Sequence, residues 1–275
     1  RLSTLAAEGL KLCLIFDGKP HPLKKRILDE RRDRKIKAQA EWEKALAAGD
    51  LVKARTKAQQ TSRLTPEMVA EAQKLLDALG LPWVNAPSEG EAQAAAMLEA
   101  GVVDAAVSQD FDTLLFGAPR LLRNLTVSGR RKLPGRQEWV DVTPEELILA
   151  DALEATQLTH EQLVDMAILM GTDFNPGIHG IGPKKGLKLL RELGSAEAAL
   201  EKLGHDIDNL DELRQLFLEH PSVEFEPTWG EPRRGRVMEL LCDRHGFSQS
   251  RVSGALEKFA QPAPPMGQQA TLGDF

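Results

Sequence analysis

Residues 102–117 read VVDAAVSQDFDTLLFG, and this stretch sets the fold class. A short apolar run closes on Ser108-Gln109-Asp110, a pattern that predicts a buried strand ending at Asp110. Upstream, LKLCLIF at 10–16 has the same character and ends in Asp17-Gly18, a strand followed by a turn. Between the two lie helix signals. Thr65 is placed to cap, Pro66 to begin and Gly80 to stop one helix before Pro82. PWVNAP at 82–87 is a short extended segment, and Ser88 opens an alanine-rich helix to about Ala100. Strands alternating with helices predict an α/β core, with a mostly parallel central sheet flanked by helices.

Further on, residues 119–142 predict β-structure with a Ser128-Gly129 turn. Thr143-Pro144 predicts a helix start, and Thr159 caps an apolar helix, EQLVDMAILM, that stops at Gly171. The rest is helical to about residue 260, with breaks at Gly194, Gly204 and Pro221. The tail from Gln261 is rich in Pro, Gly and Gln and is expected to be disordered. Residues 24–63 are charged and poor in large apolar side chains, which predicts a projecting helical insert broken near Gly49-Asp50. The expected division is a core over 1–175 with an insert at 32–63, a helical region over 176–260, and a tail over 261–275.

The 275 residues are 42% hydrophobic and 28% charged, which suits a soluble globular chain. No apolar run is long enough to span a membrane, and no secretory leader pattern opens the sequence. Cys13 and Cys242 are too far apart for a metal-ligand cluster. That argues against a disulfide framework or cysteine-bound zinc, and for a reducing compartment. The net charge of −6 is unevenly placed. From Asp17 to Arg63 there are 14 basic and 7 acidic residues, and Arg120 to Arg136 holds six basic residues and no acid. A third basic strip is Lys184, Lys185, Lys188 and Arg191. Basic strips on an acidic body suit a protein that holds phosphates in one place and metal in another. Each strip taken alone is equally a solvated helix face or hairpin.

Six acids bear on the chemistry: Asp17, Glu89, Glu91, Asp110, Asp112 and Asp173. Asp17 and Asp110 end predicted strands, and the carboxyl edge of an open α/β sheet is where ligands bind. Carboxylates converging there raise one another's pKa unless cations neutralise them. Oxygen-only donors suit Mg²⁺ or Mn²⁺ rather than Zn²⁺. Two such ions about 4 Å apart are a recurring device for phosphodiester hydrolysis. Each acid also has a structural alternative. Ser88-x-x-Glu91 is a capping box, Asp110 or Asp112 could cap the next helix, and Asp17-Gly18 could be a plain turn. The run from Gly177 to Gly186 contains G-x-G, but it follows a helix, which argues against a dinucleotide site. A glycine hairpin with Pro183 starting the next helix would offer N–H groups to a phosphate, beside Lys184 and Lys185. A tight interhelical turn is the other reading.

FDGKP (16–20), PSEGEAQAA (87–95), QDFDTLLFG (109–117), GTDFN (171–175) and GIGPKK (180–185) together resemble the structure-specific 5′ nuclease family. Within it, order and spacing resemble the flap endonucleases of archaea and eukaryotes over nearly the whole chain. The resemblance implies a PIN-like nuclease core and a two-metal, Mg²⁺-dependent endonuclease with possible 5′-3′ exonuclease activity, in DNA replication (Okazaki fragment maturation) and base excision repair. Mn²⁺ would substitute. It implies that Asp17, Glu89 and Glu91 hold one metal and Asp110, Asp112 and Asp173 the other, with Glu91 near both. Lys24 and Arg31 match the basic pair that positions the cut phosphate. They lie seven apart, so one helix face carries both. The insert matches the helical arch that threads the single strand. Residues 177–185 match the helix–two-turn–helix that grips duplex DNA with a K⁺ ion through Gly180, Gly182, Lys184 and Lys185. Gln269, Leu272 and Phe275 resemble the box that docks on the DNA sliding clamp. The implied location is intracellular, cytoplasmic in an archaeon and nuclear in a eukaryote.

Two departures stand out. The sequence opens at Arg1 inside an apparent helix, without the family's earlier strand and its metal-binding Asp. That predicts an incomplete sheet and a damaged first metal site in this stretch. The K⁺ position where many relatives carry Ser holds Gly177. The rival reading is a non-catalytic, clamp-tethered DNA-binding module. An exonuclease or a Holliday-junction resolvase is the alternative within the family.

Overall fold

Each apolar run contributes a short strand that pairs in parallel with a neighbour, but the second strand covers only Ala106–Val107 and stops three residues short of Asp110, where it was expected to end. The structure is a computed structural model that describes residues 1–61, 64–126, 129–132 and 138–260. Its strands are β1 (Leu14–Phe16), β2 (Trp83–Asn85), β3 (Ala106–Val107), β4 (Arg120–Arg123), β5 (Gly129–Lys132), β6 (Trp139–Val142) and β7 (Glu145–Ile148). β1 pairs in parallel with β2, Ile15 opposite Val84, and β3 in parallel with β4, Ala106 opposite Leu121. β7 joins the far side of β4 antiparallel, and β5–β6 form a separate hairpin. The expected central sheet is therefore interrupted between β1 and β3. A cavity of about 890 Å³ lies there, lined by Leu12, Leu14, Val103, Ala106 and Leu122 among others.

Two local expectations fail. Gly129 is not a turn residue but the first residue of β5, opposite Val142. Thr143-Pro144 does not start a helix. Residues 145–148 pair with β4, where Arg120 meets Glu146 at 2.5 Å and Arg123 meets Glu145 at 3.0 Å. Cross-strand pairing of opposite charges outweighs the local cap signal.

The helices are α1 (Leu2–Ala7), α2 (Lys25–Ala47), α3 (Leu51–Thr61), α4 (Pro66–Leu79), α5 (Gly90–Glu99), α6 (Asp112–Leu115) and α7 (Leu149–Thr156). Then come α8 (His160–Met170), α9 (Pro183–Leu193), α10 (Ala196–Leu203), α11 (Leu210–Leu218), α12 (Arg234–Met238) and α13 (Gln249–Phe259). α2 and α3 are the insert, packed on each other and parted at Gly49 and Asp50. α4 has the expected ends: Thr65 accepts from Met68 N, and Gly80 closes it in the left-handed region.

One apolar core lies between α5, α6, α8, α11 and the β3–β4–β7 sheet, and includes Leu121, Ile168 and Phe217. A second joins α8, α9 and α10 through Ile178 and Ile181 of the glycine run. A third packs α4, α12 and α13 beneath β1 and β2. Phe217 of α11 touches Phe116 and Phe174, so the helical region shares the first core with the β-strands. Among the described residues no helix is long and apolar enough to cross a membrane.

Candidate active site

Asp17 leaves the carboxyl end of β1, and the glycine after it is required by space. A Cβ on Gly18 would meet Ala86 O at 2.1 Å. Gly18 N donates to Ser88 O at 2.7 Å, which lays the FDGKP turn on the start of α5. Asp17 Oδ1 then accepts from Gly90 N at 2.8 Å. Asp17 thus satisfies the first N–H of α5 from outside the helix. Glu89, not Ser88, is the residue before the helix, and neither caps it with a side chain. Glu91 is left to face the site, where its Oε1 accepts from Ser108 Oγ at 3.3 Å.

Ser108 Oγ also accepts from Asp110 N at 3.2 Å, so one hydroxyl ties the ends of β3 and α5 together. The sequence reading passed over Ser108. The signal available was its place two residues before Asp110. Neither Asp110 nor Asp112 caps α6 with its side chain, since Phe111 is the cap residue and makes no side-chain bond. Asp173 is presented by a loop pinned from below. Buried Asn175 accepts from Thr172 N and Oγ1 and donates to Ile168 O at 2.8 Å. Gly177 closes that loop at φ +64, where a Cβ would meet Gly171 N at 2.3 Å.

These acids feel one another. Burial first, then the charges of Asp110, Asp173 and Glu91, lift the Asp112 pKa from 3.8 to about 6. Burial, then Asp17 and Asp110, also raises that of Glu91. Lys24 Nζ meets Glu89 Oε2 at 2.5 Å and Asp173 Oδ2 at 3.6 Å, and Arg31 Nη2 meets the same Asp173 oxygen at 2.8 Å. Burial works against the Lys24 charge, but the Glu89 hydrogen bond and the fields of Glu89 and Asp173 outweigh it and raise its pKa.

Among the described residues no three acidic, His or Cys side chains are grouped closely enough to hold a metal ion as they stand. The donor chemistry nevertheless fits one. The set is all oxygen, and Glu91 and Asp112 are destabilised as anions first by burial and then by their acidic neighbours, a condition that a hard divalent cation relieves.

Gly182 and Pro183 begin α9 as expected, with Lys184 and Lys185 exposed in its first turn. Gly180 lies in the left-handed region at φ +80. Gln269, Leu272 and Phe275 lie outside the described residues.

An α/β domain with carboxylates near a strand edge and two basic side chains laid across them suits a class of protein that acts on a polyanion. The comparisons name it. The XPG I-region family matches residues 80–173. The chain is 44% identical to flap endonuclease 1 of Methanococcoides burtonii, covering 100% of this chain and 81% of that protein. It is 46% identical to flap endonuclease 1 of Caldivirga maquilingensis, over 100% and 80% respectively. The solved flap endonuclease-1 of Methanococcus jannaschii matches at 35% identity and a TM-score of 0.66, covering 94% of this chain and 79% of that one. The catalytic core of Rad2 in complex with DNA substrate shares the fold, at 19% identity and a TM-score of 0.68. The chain belongs to the flap endonuclease 1 family.

Proposed function

We propose that this chain hydrolyses a phosphodiester where a 5′ single strand leaves duplex DNA, with its catalytic groups at the carboxylate edge described above. It is a structure-specific flap endonuclease, a DNA-binding hydrolase of replication and repair. The observation that carries the site assignment is Asp173, whose carboxylate meets both Lys24 and Arg31 while its charge adds to that raising the Asp112 pKa.

Asp17, Glu89 and Glu91 would hold one divalent cation and Asp110, Asp112 and Asp173 another, with Glu91 near both. Mg²⁺ is the expected ion, and Mn²⁺ would substitute. When bound, such cations lower the pKa of the attacking water and stabilise the leaving oxygen. Ser108 holds Glu91 in the site. Lys24 and Arg31 lie across the carboxylates, placed to exchange that contact for the phosphate and steady the charge that develops on its oxygens. Asn175 fixes the loop that carries Asp173.

Residues 1–175 form the nuclease core, and α2 and α3 serve as the arch for the single strand. Residues 176–260 carry the duplex grip, where the hairpin from Gly177 to Lys185 would present N–H groups, Lys184 and Lys185 to phosphates, with K⁺ held by backbone carbonyls. The tail over 261–275 would tether the enzyme to the sliding clamp through Gln269, Leu272 and Phe275. DNA is recognised by shape and phosphate contact rather than base sequence. The test is Mg²⁺-dependent cleavage of an end-labelled 5′-flap duplex by this chain. A product cut at the junction is expected. Salt-sensitive binding without any cut would favour the DNA-binding module instead.

A further inference from the structure

Phe111 separates two of the acids, yet its residue surface is 52% exposed. Single exposed apolar side chains are ordinary, but this ring keeps a face open to solvent beside the acids. The ring is backed on one side. The Arg123 guanidinium lies 3.9 Å from its centroid. Arg123 is itself fixed: Nε donates to Gln109 O at 3.2 Å, and Nη1 meets Glu145 Oε2 at 3.0 Å. Arg123 and Glu145 are paired where β4 ends and β7 begins, and Asp110 lies three residues past the end of the neighbouring β3. The supported ring therefore stands at this edge, next in sequence to both Asp110 and Asp112. β4 leaves this edge for the β5–β6 hairpin, and β7 returns to it. A DNA strand with a phosphate over the carboxylates would have its next nucleotide within reach of a ring placed here.

We propose that Phe111, buttressed by Arg123, is the stacking platform for an unpaired base next to the phosphate that is cut. Any base offers a π-face to such a ring, so the contact is indifferent to sequence. It positions the phosphate rather than reacting, and the inference rests on the nuclease reading above.

The experiment is single-turnover cleavage by the full chain of matched 5′-flap duplexes. The nucleotide on each side of the cut carries a base in one substrate and is abasic in the other. Phe111→Leu is expected to slow cleavage of the intact flap by about tenfold. Removing the base at one of the two positions should slow the parent chain by a similar factor, and the two changes together should cost no more than either alone. Phe111→Trp should restore the rate. Losses that multiply would make the ring a structural contact of Arg123 and overturn the proposal, as would a Phe111→Leu chain of parental speed. A parent chain that cuts no flap at all would overturn the nuclease reading, and this inference with it.

Discussion

Lys24 is half-buried, which disfavours its charge, yet its pKa is raised because Glu89 and Asp173 surround it. An ammonium held this way neutralises the acids and stands ready for a phosphate. Lys24→Ala should slow single-turnover cleavage about a hundredfold, the scale of losing one aimed charge donor. Flap binding without divalent cation should weaken only a few-fold. Rapid-quench rates at saturating enzyme and an anisotropy titration check this, and equal losses would reduce Lys24 to a plain phosphate contact. Part of this was legible in the sequence. The spacing of seven suggested one helix face for Lys24 and Arg31; Lys24 in fact ends the short turn just before α2, and Arg31 lies within α2. Their common partner Asp173 lies 142 residues beyond Arg31, and only the tertiary fold brings it there. Ser108 escaped notice because a serine at a strand end has no chemistry until a carboxylate from another element faces it.

The helices behind the site are joined by a charge cluster built around the buried Asp165. Asp165 of α8 accepts from Arg214 of α11 at 2.6 and 2.8 Å, and from Ala196 N at the start of α10 at 2.8 Å. This fixes α11, and so Phe217, against the residues carrying Asp112 and Asp173. Asp165→Ala should cost about 3 kcal/mol in urea unfolding, because it strips a charge partner from Arg214. A loss below 1 kcal/mol, the ordinary surface-pair value, would show that Glu197 alone suffices. Glu197, hydrogen-bonded to the same guanidinium, has its pKa lowered from 4.5 to about 2. A depressed carboxylate stabilises fully above its unfolded pKa and loses that contribution as pH falls through the folded value. The gap in Tm between the parent and Glu197→Gln should therefore be constant above pH 5 and shrink from about pH 4.5 toward 2, and a gap that persists at pH 2 would refute the linkage. Helix ends were legible where their cause is local, as with Thr65, Gly80 and the Thr159 capping box. They were not where a distant group competes. Asp17 satisfies the first N–H of α5 from outside the helix, and β4 drew 145–148 into a strand.

The alternation of strands and helices was enough to read an α/β core, and the motifs' resemblance supplied the nuclease reading and an incomplete sheet; where the break falls, between β1 and β3, depends on which edges meet in space. Charge is the other property that only the complete chain defines. A net −6 would repel DNA if spread evenly, but the strip from Asp17 to Arg63 holds 14 basic residues against 7 acids, which leaves the excess of acid on the rest of the chain. α2 carries much of that strip away from the first core, while Lys184 and Lys185 stand exposed at the start of α9. DNA held at both places releases counterions from each phosphate that it neutralises. With six to ten such contacts, affinity should fall about 10³- to 10⁵-fold between 50 and 200 mM salt. The contribution of α9 is separable, because each lysine on a phosphate adds about one to the slope of log K against log salt. Lys184→Ala with Lys185→Ala should flatten that slope by about two. Affinity should drop evenly across duplex sequences, because phosphate contacts carry no base information. Titrations at four salt concentrations measure it. A parental slope in the double variant would remove the glycine hairpin and α9 from the DNA path and leave α2 as the main phosphate contact.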